Sequence, residues 1–271
     1  MAATPGEQAT PFRLGSTAPN FTAETTKGTI DFYKYAGNAW TILFCYPVDF
    51  APVATTELIL LAKLQPEFDK FNVKLLALST GDSLERHLAW EKDIEEISGA
   101  PLEFPIIADK DRTISHLYNV VDDGDLEDSS TGDSTGFAFK TRSAFIISPQ
   151  KKFKLIFNYP ASVGMNTVEL IRVLHCLETV EAAKGLRTPG NWIPGCDLVI
   201  HPDITDEQAQ VKFPNYQSVK PYLRFVETPT QTVEAEHLLF RKGHLASHSI
   251  VAQDGLLSGA LNDEEHHAIV S

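Results

Sequence analysis

Trp40-Thr-Ile-Leu-Phe-Cys45 is an almost unbroken apolar run that stops at Tyr46-Pro47. This is the pattern of a strand buried on both faces and ended by a turn. Across 52–71 the apolar residues Leu58, Leu61, Leu64 and Phe68 recur at spacings of three and four, predicting one amphipathic helix with Pro52 tolerated in its first turn. Residues 73–78 form a second buried run, and Asp82 or Ser83 can cap a helix reaching about Ile97. A short strand is predicted over 105–108 and a short helix over 111–118. The β-prone runs 21–25 and 29–32 flank Lys27-Gly28, and 143–148 and 153–158 flank Pro149-Gln-Lys151, so each pair reads as a hairpin. A long helix over 167–184 places Val168, Ile171, Leu174 and Val180 on one side. Strands alternating with helices, closed by a hairpin and a last helix, predict an α/β layer fold.

Beyond Gly185 the texture changes, with Pro189, Pro194, Pro202, Pro214, Pro221 and Pro229 punctuating short segments. The chain is therefore divided into an arm (1–13), a main domain (14–185), a small appended domain (186–228) and a tail (229–271) holding His237, His244, His248, His266 and His267. Twenty-three Lys and Arg against 36 Asp and Glu leave a net charge of −13, which argues against nucleic acid and anionic membranes as partners. No apolar run approaches the ~20 residues that span a bilayer. Residues 1–14 have neither a basic nor an apolar region of the secretory kind, so a cytoplasmic location is expected. Cys45, Cys176 and Cys196 have no paired spacing and imply neither a disulfide framework nor a zinc ribbon. Each reads as packing or bystander. His244 and His248 have an i, i+4 spacing that could bind metal on a helix, but with Gly243 beside them and no third ligand nearby they read as a solvated tail. The acidic run 122–133 lacks the stricter spacing of a calcium loop. No metal and no cofactor is expected.

The segment Tyr46-Pro-Val-Asp-Phe-Ala-Pro-Val-Ala-Thr-Thr-Glu-Leu58 joins a buried strand to an amphipathic helix, where α/β proteins place reactive groups. It resembles the peroxiredoxin signature Pro-x-x-x-Thr-x-x-Cys followed by Thr-Thr-Glu-Leu. Leu88-Ala-Trp90, Phe104-Pro-Ile-Ile-Ala-Asp109, Tyr159-Pro-Ala161 and Thr188-Pro-Gly-Asn-Trp192 are similar to the one-cysteine subfamily. The likeness spans about 14–227. It implies a thioredoxin-like domain over 14–185, a dimerisation domain over 186–228 and a homodimer.

The same resemblance puts alanine, Ala54, at the position of the peroxidatic cysteine. It puts Ala51 at the signature threonine, Tyr46 at the active-site histidine and Met165 at a second arginine; Pro47, Glu57 and Arg142 remain. Without a thiolate the usual peroxide cycle cannot start there. The phospholipase site of the subfamily falls on Ala39, Tyr33 and Gln150, which lack its serine, histidine and acid. A separate Gly132-Asp-Ser134-Thr-Gly136 lacks the preceding apolar strand of a nucleophile elbow and reads as chance.

Three of these changes remove polarity, which predicts a roomier apolar cavity for a small organic ligand, walled by Pro47, Phe50, Ala51, Val53, Ala54, Trp90 and Met165. On this reading the chain is a non-redox enzyme (isomerase, dehydratase or cyclase) acting on an apolar carbonyl-bearing metabolite. Tyr46 donates to a substrate oxygen, Arg142 stabilises developing negative charge, and Glu57 orients Arg142 or acts as base. Two alternatives stand beside it: a silent binding or regulatory pseudo-peroxiredoxin, and a one-cysteine peroxidase carrying an engineered cysteine-to-alanine change.

Overall fold

Five strands make the central sheet of the computed structural model, which describes residues 12–121 and 141–227. They are β3 (Trp40–Tyr46), β4 (Val73–Thr80), β5 (Ile106–Asp109), β6 (Thr141–Ile147) and β7 (Phe153–Pro160), in the order β5-β4-β3-β6-β7. β3, β4 and β5 run parallel, whereas β6 and β7 are antiparallel additions. Every residue of β3 is buried, as a central strand covered on both faces requires. Leu43 and Cys45 point into an aromatic cluster containing Phe21, Phe32, Tyr118, Phe145 and Phe153. Ile42, Phe44 and Tyr46 alternate to the other face, where Trp90 lies 5.3 Å from the Tyr46 ring.

Helices α2 (Pro52–Lys63), α3 (Gln65–Lys70) and α4 (Leu84–Ser98) follow the first two of these strands. The single helix expected over 52–71 is broken at Leu64, because Pro66 has no N–H for the preceding turn and its ring would strike that turn's carbonyl. Ser83 caps α4, and Gly99 ends it in the left-handed region at φ 65°. The first hairpin is reduced to β1 (Thr22–Ala23) and β2 (Ile30–Asp31), since Phe32 already opens α1 (Phe32–Ala36) on an Asp31 cap. A five-residue helix is too short to register as a period. α5 (Thr113–Leu117) starts later than expected, with Arg112 at φ 60° before it. The Asp109 carboxylate takes the N–H groups of Ile114 and Ser115 at 3.0 and 2.7 Å, so the capping acceptor comes from the end of β5.

Contacts group the chain into two compact units, Met1–Ile171 and Arg172–Ser271, and α6 (Thr167–Ala182) begins in the first and ends in the second. The second unit contains β8 (Leu186–Arg187), β9 (Leu198–Ile200), α7 (Asp206–Lys212), β10 (Gln217–Lys220) and β11 (Leu223–Val226). Its antiparallel sheet runs β10-β11-β9-β8, and Leu186, Trp192, Leu198, Ile200 and Ala209 form its core. The acidic run, the Gly132–Gly136 match and the tail histidines lie outside the described residues. Among the described residues no helix is long and apolar enough to cross a membrane.

Candidate active site at the carboxyl ends of the parallel strands

Parallel pairing brings the ends of β3 and β4 together, with Tyr46 opposite Ser79. The chain leaves β3 at Tyr46, crosses 47–51 and enters α2 at Pro52. Tyr46 is buried, and its hydroxyl donates to Asp49 Oδ1 at 2.9 Å. Burial pushes its phenol well above the ordinary range, and the neighbouring Asp49 charge adds to the rise. Asp49 Oδ2 lies 2.6 Å from His87 Nδ1, a hydrogen-bonding distance. Asp49 N–H donates to Asp82 Oδ2 at 2.9 Å, and Ser79 Oγ donates to the same oxygen at 2.6 Å. Arg86 pairs with Asp82 through Nε at 2.9 Å and reaches the Asp49 carbonyl with Nη2 at 3.3 Å. Tyr46 is therefore not a free donor for a ligand, which corrects the role expected for it.

A second buried set is built on Glu57 of α2. Arg142, on β6, donates from Nη1 to Glu57 Oε2 at 2.6 Å and from Nε to the Ala161 carbonyl at 2.9 Å. Glu57 Oε1 accepts the Met165 N–H at 2.6 Å. Both charged side chains are 2% exposed. Burial lifts the Glu57 carboxyl above its ordinary value, opposed by the Met165 N–H and then by Arg142. Met165 thus enters through its backbone while its side chain packs inside. The turn is closely fitted: a Cβ on Gly164 would meet Val53 Cγ1 at 3.3 Å.

Between the two sets lies Ala54, the third residue of α2, with no solvent exposure. Ala51 is the N-cap and its methyl offers no acceptor to the first turn, while Thr55 Oγ1 donates back to the Ala51 carbonyl at 2.9 Å. The buried Pro47 gives its carbonyl to Thr80 Oγ1 at 3.2 Å. Phe50 is 41% exposed at φ 62°, with the Arg86 guanidinium 5.0 Å from its ring centre and Trp90 at 6.0 Å. Val53 is half-buried. The residues expected to wall a cavity are neighbours in this way, but the small side chain at position 54 is closed over. Arg142 bonds Glu57 and Ala161 through Nη1 and Nε, while Tyr46 gives its single hydroxyl proton to Asp49.

Cys45 is buried in β3, where desolvation first and the Asp109 charge second raise its thiol well above the usual range. Cys176 and Cys196 are half-buried in the second unit. Among the described residues no three metal-ligating side chains come together. Sequence reasoning missed Asp49, Asp82, Arg86 and His87. The available signal was positional: Asp49 and Asp82 each follow the end of one of two adjacent parallel strands, where polar groups from separate segments meet.

A profile of the AhpC/TSA family matches residues 14–156. Peroxiredoxin PRX1, mitochondrial, of Saccharomyces cerevisiae is 45% identical over 218 residues, 80% of this chain and 81% of that protein. Peroxiredoxin-6 of Gallus gallus is 43% identical over 226 residues, covering 80% and 97%. The solved yeast mitochondrial 1-Cys peroxiredoxin superposes with TM-score 0.72 at 43% identity, covering 80% of this chain and 100% of that one. Peroxiredoxin 6 of Arenicola marina, solved as a cysteine-to-serine mutant, gives 0.71 at 38%, covering 80% and 99%. These relatives overturn the expected non-redox metabolite enzyme: at 43–45% identity they are peroxiredoxins by name. They also establish the thioredoxin-like fold expected from the resemblance, with its central sheet and C-terminal sheet domain. The chain belongs to the AhpC/TSA family, among relatives of the one-cysteine and peroxiredoxin-6 type.

Proposed function

We propose that this chain is a one-cysteine peroxiredoxin in which the peroxidatic cysteine has been changed to alanine, at Ala54. The observation that carries the reading is the intact Glu57–Arg142 pair, buried one helical turn beyond Ala54 in a chain otherwise close to named peroxiredoxins. A cation and its carboxylate buried together are costly to assemble, and here they flank the position a thiol would occupy. What is lacking is the nucleophile. The deciding experiment compares the unaltered chain with Ala54→Cys: oxidation of the introduced thiol by hydrogen peroxide supports the reading, and rapid peroxide consumption by the unaltered chain overturns it.

A second reading is favoured by the closed network around Tyr46. With Tyr46, Ala51 and Met165 also departing from the family pattern, the scaffold serves as a silent binding or regulatory form. Failure of both Ala54→Cys and the Ala51→Thr/Ala54→Cys/Met165→Arg variant to react would select it.

A homodimer assembled through 186–228 is proposed from the family likeness. Sedimentation equilibrium is expected to give about twice the 29.9 kDa chain mass, and a monomer at micromolar concentration would remove this part. The cytoplasmic location remains a proposal as well, and cell fractionation tests it against the mitochondria named for the yeast relative.

A further inference from the structure

We propose that Asp49 is a positioning residue that holds the start of α2, and with it position 54, closed against solvent. The importance of position 54 rests on the function proposed above; the geometry of the closure does not.

Asp49 is held at every hydrogen-bonding group it has. Its two carboxylate oxygens meet Tyr46 and His87, its N–H meets Asp82, and its carbonyl meets Arg86. The four partners come from the end of β3, the segment after β4, and α4, so one residue ties the β3–α2 crossing to three parts of the fold. Its carboxylate side chain is 0% exposed, and so is that of His87. The next residue needs such an anchor. Phe50 is a non-glycine residue at φ 62°, a conformation that persists only where the surroundings over-determine it. Arg86 completes the hold by bonding the Asp49 carbonyl while lying over the Phe50 ring.

The α2 terminus has no local device that could do the same work. Ala51 supplies no side-chain cap, and Pro52 has no N–H to be gripped. The first turn is therefore located from outside, through residue 49. Tyr46 acts here through Asp49 and not on a ligand. That gives its hydroxyl a purpose the sequence alone did not suggest. Loosening Asp49 frees 47–51 and the first turn, while the middle of β3, locked between β4 and β6, stays shut.

The test uses a reporter thiol in the full chain. Ala54→Cys is alkylated with iodoacetamide and quantified residue by residue by mass spectrometry, with buried Cys45 as the internal control for general loosening. Adding Asp49→Ala is expected to speed alkylation at position 54 by about tenfold or more while Cys45 is unchanged, since two side-chain hydrogen bonds are lost together. Adding Tyr46→Phe removes one of them and is expected to give about two- to fivefold. Asp49→Asn, which keeps an oxygen for Tyr46, is expected to fall below Asp49→Ala. No acceleration at position 54, or an equal acceleration at Cys45, overturns the proposal. Should Asp49→Ala fail to fold by circular dichroism, the Tyr46→Phe and Asp49→Asn chains decide by the same criterion. Peroxide is not used, so this result is independent of whether a thiol at position 54 reduces it.

Discussion

Ala54→Cys is expected to take one equivalent of hydrogen peroxide per chain, at a rate that climbs with pH. The thiolate sulfur attacks one peroxide oxygen, the O–O bond breaks, and hydroxide leaves to be protonated to water, with the cysteine becoming a sulfenic acid. Two opposing effects set the thiol's acidity. The first turn of α2 favours a negative charge by up to about 2 kcal/mol, or roughly 1.5 pKa units. Complete burial opposes it by as much as about 3–5 units. Cys45, in the strand that leads into α2, has its thiol raised by burial, with the Asp109 charge adding to the rise. The guanidinium that could tip the balance is already paired with Glu57. The introduced thiol should therefore ionise above the usual ~8.5, leaving only a small thiolate fraction at pH 7 that grows about tenfold per pH unit. Stopped-flow oxidation across pH 6–9 checks this, and a rate already level at pH 6 would contradict the balance. Adding Ala51→Thr gives α2 a capping oxygen, and Met165→Arg restores a second cation. Together they are expected to lower the thiol's pKa, raise its thiolate fraction and speed the reaction at pH 7 by about a hundredfold.

The strands were legible because each one reads locally. β3 declares itself by seven consecutive buried positions, and Pro47 announces its end. The break at Leu64 has a local signal too, because the missing N–H of Pro66 outweighs the three-and-four spacing that continues through Phe68. The caps show the limit. Ser83 was visible as the residue before its own helix, but α5 borrows Asp109, four residues ahead of Thr113. The site was half legible. Glu57 and Arg142 are picked out by the family resemblance, whereas sequence spacing does not show that they close on each other across 85 positions. The Tyr46 hydroxyl bonds Asp49 where the sequence suggests a ligand oxygen. Its acceptor is only three residues away, but Asp49 is aimed inward by His87, 38 positions further along, and no local pattern encodes that. The space expected beside Ala54 meets a related limit. Removing side-chain atoms at 51 and 54 leaves space only if the neighbours stay still, and position 54 is closed.

The Glu57–Arg142 pair should dominate the stability of the first unit around this site, and Arg142→Met is expected to cost about 3–5 kcal/mol at pH 7. The loss comes from what is left behind. Glu57 keeps the Met165 N–H but loses the Arg142 cation bonded to it, within a site whose burial already raises its pKa. A carboxyl whose folded-state value is raised adds stability below its unfolded value of about 4.5, and that contribution fades as pH climbs through the folded value. Removing Arg142 raises the folded value further. The penalty should therefore be greatest at neutral pH and shrink on acidification towards pH 4.5, the reverse of a simple lost contact. Glu57→Gln added to Arg142→Met replaces the stranded charge with a neutral amide that still accepts from Met165, so it should recover most of the loss at pH 7. Urea unfolding of the parent, both single variants and the double variant at pH 7 and pH 5 measures the coupling. A penalty that is the same at both pH values, or a double variant no more stable than Arg142→Met, would mean that the buried carboxylate is not what the arginine is there to hold.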